Sequence, residues 1–220
     1  MTELPHENFF ETPIYRIEKP EWVNKVNKVC NPIISKCKER DKNIIKEKNK
    51  KFNMKIGDFG WSYHSKSMTN KKGLEELQQY IVSTSQQVLD NMGFNLTSYN
   101  MAITEFWVQE FADKGGGHHS THVHYDNHIS GFYFLKCSKK TSMPFFHDPR
   151  AGKLMAQLPM KNSEQIISGA SVIHVRPKPG TLIIFPSYLP HEFSVDPGVD
   201  PFRFIHFNIQ AVRKFNNVDL

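Results

Sequence analysis

From Tyr99 onward the sequence is written in short apolar runs separated by turn residues, and that texture leaves few architectures open. Tyr99 to Phe111 is one run, and Ile129 to Lys136 (Ile-Ser-Gly-Phe-Tyr-Phe-Leu-Lys) is another. Ser171 to Val175 and Thr181 to Phe185 follow, the latter entered through Pro177-Lys178-Pro179-Gly180, and Phe202 to Ala211 closes the set. Upstream the period changes. Val23, Val26, Cys30, Ile33, Ile34 and Cys37 form an apolar stripe at helical spacing, which predicts a helix from about Trp22 to Lys46, interrupted near Pro32. A lysine- and asparagine-rich stretch to about Lys55 reads as an exposed connection. Leu74, Leu77, Ile81, Val82, Val88 and Leu89 predict a second helix, stopped at Asn91-Met92-Gly93. Before both helices, Phe9 to Ile17 reads as an edge strand, because Pro13 cannot donate to a sheet on both sides. Helices followed by many short strands predict a mainly β fold, a sandwich or barrel braced by helices on one side. No repeat or composition break divides the chain. The expectation is one domain over 1–220, with a helical support region at 1–98 and a strand core at 99–211.

The chain has 220 residues, 39% of them hydrophobic and 23% charged, which suits a globular domain with a sizeable core. Its formal charge of +6 comes largely from lysines between Lys25 and Lys55, with which no aromatic ladder interleaves. That pattern favours a solvated helical face over a nucleic-acid surface. Three cysteines, Cys30, Cys37 and Cys137, match neither a disulfide framework nor a zinc ribbon. Cys30 and Cys37 share a helix face. The N-terminus, Met1 to His6, lacks the basic and apolar regions of a signal peptide, and no apolar stretch reaches membrane-spanning length. These features predict a cytoplasmic protein with no membrane partner.

Chemistry concentrates in one place. Five of the eleven histidines lie between His118 and His128, in His-His-Ser-Thr-His-Val-His-Tyr-Asp-Asn-His. Alternate positions of an extended segment project to one side, so imidazoles and a carboxylate there can share a face. His191 follows an apolar strand later in the chain and can complete a metal face left open for other ligands. His124 and His191 belong to every version of this site; His122 and Asp126 compete for the third place. Arg203 stands among Phe and Ile and needs an anion, which a carboxylate in bidentate contact would satisfy. Other chemistries lack support. A structural zinc would want four protein ligands, commonly including cysteine. No Gly-x-Ser-x-Gly elbow is present. Gly115-Gly116-Gly117 matches no phosphate motif and reads as loop flexibility.

These residues together resemble a known family. Phe9 to Tyr15 is similar to its opening Phe-x-Thr-Pro strand, and Trp107 resembles a tryptophan before its first ligand. His122-Val123-His124, Ser130 to Leu135, Asp148-Pro149-Arg150, Pro179 to His191 and Arg203 to Asn208 resemble its remaining motifs. The family is the 2-oxoglutarate/Fe(II) oxygenases of the double-stranded β-helix superfamily, prolyl-hydroxylase-like and found in bacteria and phages. The resemblance implies a jelly-roll core and Fe(II), 2-oxoglutarate and O2 as cofactors. The implied reaction couples decarboxylation of 2-oxoglutarate to succinate with C–H oxidation. It implies metal ligands from His122, His124, His191 and Asp126, with Arg203 on the distal carboxylate and Tyr133 or Ser130 assisting. The broader superfamily's His-x-Asp matches His124-Tyr125-Asp126, which keeps Asp126 in contention. For the substrate, the resemblance implies a peptide or protein prolyl group or a small molecule, without choosing between them. Alternatives are a cupin-like three-histidine enzyme without 2-oxoglutarate, and a non-catalytic β-sandwich binding module.

Overall fold

The computed structural model describes residue 7 and residues 9–155, 158–162, 165 and 167–214. Strand β1 (Tyr15–Glu18) begins only after Pro13, and a 3-10 turn at Pro20–Trp22 leads into helix α1 (Val23–Lys51). Pro32 does not interrupt α1, contrary to the expectation from sequence. It lies on the exposed side, while Val26, Cys30, Ile34 and Cys37 are buried against the sheet. Tertiary packing on that face outweighs the backbone hydrogen bond that proline removes. The lysine-rich stretch expected as a connection is mostly the last turns of the same helix. Helix α2 (Glu75–Asn91) ends as predicted: Gly93 takes φ +88° and its N–H reaches the Asp90 carbonyl.

The strands are β2 (Ser62–His64), β3 (Tyr99–Phe111), β4 (His119–His122), β5 (Ile129–Lys136) and β6 (Pro144–His147). After them come β7 (Val172–His174), β8 (Thr181–Pro186), β9 (His191–Phe193) and β10 (Arg203–Arg213). They form a six-stranded sheet in the order β1-β8-β5-β10-β3-β2 and a four-stranded sheet in the order β4-β9-β6-β7. Every pairing is antiparallel, and β1, although it begins after Pro13, is an edge strand as expected. Two antiparallel sheets with helices covering one of them make a jelly roll braced on one side.

Two apolar clusters hold this together. Between the large sheet and the helices lie Val26, Ile34, Leu77, Ile81, Phe106, Val108, Tyr133, Leu182, Ile205 and Phe207. Between the sheets lie Phe111, Phe132, Phe134, Phe146, Phe185, Phe193, Phe202 and Phe204. Successive strand residues therefore serve different layers. Among the described residues no helix is long and apolar enough to cross a membrane.

Two glycine positions are dictated by close approach. The 115–117 glycines are buried rather than loose: Gly116 has φ +79° and donates to the Asp196 carbonyl at 2.7 Å, and Asp196 donates to that of Gly117 at 2.8 Å. The expected flexible loop is instead a tight crossing of two chain segments. Gly131 sits mid-strand in β5, where a Cβ would run into the Phe207 ring and the Ile183 carbonyl. Gly131→Ala should therefore cost about 1–3 kcal/mol through overpacking, read as a lowered urea midpoint at unchanged m-value.

Candidate metal centre

The two halves of the histidine pattern meet at the β4–β9 pairing, where His122 lies opposite His191. His124 follows the end of β4 and is anchored by its N–H to the Ser187 carbonyl at 3.1 Å. The three rings are neighbours: centroids are 4.4 Å apart for His122 and His191, 5.0 Å for His122 and His124, and 5.1 Å for His124 and His191. One ring nitrogen from each lies within 4.8 Å of the others.

Hydrogen bonding sets which nitrogens are free. The Nδ1–H of His122 donates to the Ser120 carbonyl at 2.7 Å, and that of His191 to the Leu189 carbonyl at 2.9 Å. A carbonyl only accepts, so both rings carry their hydrogen on Nδ1 and present an Nε2 lone pair, the form a metal needs. Nε2 of His191 and Nε2 of His124 are buried without a hydrogen-bond partner. Buried polar atoms without partners are rare and ask for an explanation. A cation held between these rings supplies one once His124 carries its hydrogen on Nδ1, and in that form the donor set fits a metal.

Burial also keeps two of these rings neutral. It drives His191 and His124 down to about 3, with further lowering from neighbouring histidines. His119, buried beside Phe111 and Phe193 with Nε2 2.8 Å from Gln109 Nε2, is lowered to about 3 for the same reasons. His118 and His128 are exposed: His118 Nδ1 bonds the Gly116 carbonyl, and His128 Nδ1 accepts from the Ala211 N–H.

Asp126 does not join this group. It is exposed, with φ +61°, in a turn beyond β4, so the alternation that would have aimed it beside His124 is broken. Arg203 and Tyr133 are corrections of a different kind. Both belong to strands of the large sheet, but on the face turned to the helices. Arg203 donates from Nε to Glu110 Oε2 at 2.7 Å, and its Nη1 reaches Asn27 and Asn31 of α1 at 3.0 and 2.6 Å. Glu110 also meets Lys38 at 2.8 Å. Burial pushes the Glu110 carboxyl upward, but Lys38, Arg203 and Lys136 outweigh it and hold it below the usual range. The Tyr133 hydroxyl donates to the Lys19 carbonyl at 2.6 Å. Ser130 does face the histidine side, bonded to Asn208 Oδ1 at 2.6 Å and to the Ser187 hydroxyl at 2.8 Å.

Arg203 is the one buried lysine or arginine among the described residues. A keto acid held by Arg203 therefore does not fit this geometry, whereas a metal on the histidines does. Sequence reasoning also passed over His206 and Glu105. His206 is 1% exposed, its ring 4.7 Å from that of His124 and 4.5 Å from that of Trp107. Its Nε2 lies 3.3 Å from Glu105 Oε2, a contact that helps hold the Glu105 carboxyl at about 2. The signal was available: counting in twos from Asn208 brings His206 to the face of Ser130, and Arg203 to the other.

Two outcomes follow. Arg203→Ala should destabilise the fold by about 3 kcal/mol, since it strips a buried carboxylate of a partner, while Co(II) affinity stays that of the wild type. The metal-free chain should also lose stability on acidification from about pH 6.5 towards 3. In that window the unfolded histidines take up protons that buried His119, His124 and His191 refuse, so stability falls as pH falls. Thermal unfolding between pH 7 and 5 measures this, and a flat profile contradicts it.

Residues 105–205 match the model of the family described as "Putative 2OG-Fe(II) oxygenase". No curated protein matches the sequence. Among solved structures, the chain is similar to AviO1 from Streptomyces viridochromogenes Tue57 at 9% identity, covering 90% of each chain with a TM-score of 0.57. It is also similar to a prolyl hydroxylase from Trichoplax adhaerens in complex with a hypoxia inducible factor oxygen degradation domain peptide fragment. There identity is 11%, coverage 89% of this chain and 82% of that one, and the TM-score 0.50. At such identities these two likenesses establish the fold. The family match spans the segment that carries His122, His124 and His191, and residues 105–205 are similar to the core of that family.

Proposed function

We propose that His122, His124 and His191 are the iron ligands of a hydroxylase-type oxygenase, and that the chain couples decarboxylation of 2-oxoglutarate to oxidation of a substrate C–H bond. The observation that carries this is the convergence of three imidazoles, two with lone pairs freed by Nδ1–carbonyl bonds and two with buried, unpartnered Nε2 atoms. Bound iron would supply the activation of dioxygen; the protein supplies position and exclusion of water. Phe132, Phe146 and Phe185 pack against His191, closing the inner side to solvent. Tyr125 and Tyr188 are exposed on the two loops joined by the His124–Ser187 hydrogen bond. Exposed aromatic side chains next in sequence to His124 and Ser187 suit a prolyl-containing peptide or a small organic substrate. Three free cysteines accord with a reducing cytoplasm.

A second reading, a three-histidine metalloenzyme that does without a keto acid, is favoured by the commitment of Arg203 to Glu110. Conversion of 2-oxoglutarate to succinate under Fe(II) and ascorbate separates the two. The proposal expects turnover that His122→Ala or His191→Ala removes and Asp126→Ala leaves largely intact. Tight metal binding without any succinate would select the second reading, and loss of turnover in Asp126→Ala would restore the carboxylate as a ligand.

A further inference from the structure

We propose a second divalent-metal position in this chain, formed by Glu105, His206 and His124, and exclusive of the three-histidine position because both draw on His124. The proposal goes beyond the oxygenase reading and needs only that His124 be able to ligate. Glu105 and His206 stand on the paired strands β3 and β10, where Asn208 lies opposite Glu105 and His206 opposite Trp107. One ligand atom each from Glu105, His124 and His206 lies within 4.8 Å of the other two. Two imidazoles and a carboxylate are the donor set that mononuclear Fe(II) and its divalent relatives commonly take. The large rings of Trp107, Phe132 and His124 pack on His206, so its direction is set before any ion arrives. Among the described ion pairs, Glu105 meets no lysine or arginine; its partner is His206.

Hydrogen bonding around Asn208 explains why the two positions exclude each other. Asn208 Nδ2 lies 2.8 Å from Glu105 Oε2 and 3.1 Å from His124 Nδ1, while Oδ1 accepts from Ser130 at 2.6 Å. A carboxylate only accepts, so the amide nitrogen must face Glu105, and its second hydrogen then points at His124 Nδ1. His124 thus presents its one lone pair on the side of Glu105, where an ion would replace the Asn208 hydrogen, and carries its hydrogen on Nε2; His206, whose Nε2–H faces the Glu105 carboxylate, would ligate through Nε2 in the tautomer with its hydrogen on Nδ1. Service in the three-histidine set demands the opposite tautomer, with the Asn208 amide turned over to accept from Nδ1–H. A neutral imidazole has one lone pair and serves one position at a time.

Anaerobic Co(II) titration of the full chain, read by equilibrium dialysis and by the ligand-field spectrum, tests this. The wild type should bind a single equivalent. His122→Ala, a change at a half-exposed residue, should still bind one equivalent with an altered spectrum. His122→Ala/Glu105→Gln and His122→Ala/His206→Ala should each bind at least about 100-fold more weakly than His122→Ala alone. His191→Ala should repeat the pattern, with circular dichroism confirming that each variant is folded. A folded His122→Ala that binds no Co(II), or whose affinity is unmoved by Glu105→Gln, overturns this proposal and leaves the three-histidine reading standing. Two equivalents on the wild type overturn the exclusivity, and a wild type that binds none overturns both readings.

Discussion

The two-residue period of β10 is the constraint on which the rest of the molecule depends. This strand is the inner neighbour of both β3 and β5, so each of its side chains is committed to one of two buried layers. Arg203, Ile205, Phe207 and Ile209 face the helices; Phe204, His206 and Asn208 face the space between the sheets. A slip of one residue would exchange the two sets, putting an arginine among phenylalanines and isoleucines among the histidines. Arg203 works against that slip. Its fork binds Glu110 across the strand pair and two asparagines of α1, tying sheet and helix in one buried contact whose desolvation is offset by several hydrogen bonds.

The same partition shapes the chemistry. Cationic side chains gather on the helix side and the surface, whereas the inter-sheet space holds phenylalanines and neutral histidines. The buried Nε2 of His191 is preorganised for a cation, because burial keeps the ring neutral and the Leu189 carbonyl holds its hydrogen on Nδ1. Among the described residues, that space holds no buried fixed positive charge. The carboxylate of any acid bound at the metal would be met there by the metal, by imidazoles and by the amides of Gln109 and Asn208.

Much of the fold was legible beforehand, and the reason is local. β3 and β5 could be read end to end because each is a long apolar run between turn residues, and α2 because its stripe ends in a glycine that adopts φ above zero. The short strands β2, β4, β6 and β9 were not legible: three or four residues carry too little period to distinguish them from loop. β4 and β9 are the strands that bring His122 to His191. Pro32 misled for the converse reason, since a strong local breaker was overruled by the burial of the opposite helix face.

Residue types and their spacing were enough to point to a cluster of imidazoles on a β scaffold, with His124 and His191 as candidate ligands and His122 and Asp126 competing for the third place. They could not establish which side of a strand each polar residue would face, because that depends on register and on the bulges beside Arg203 and Asn208. Tertiary packing turned Arg203 and Tyr133 away to the helices, left Asp126 in an exposed turn, and brought Glu105 and His206 up to His124. Facing is a property of paired strands and covering helices; a single segment carries the period but not the phase.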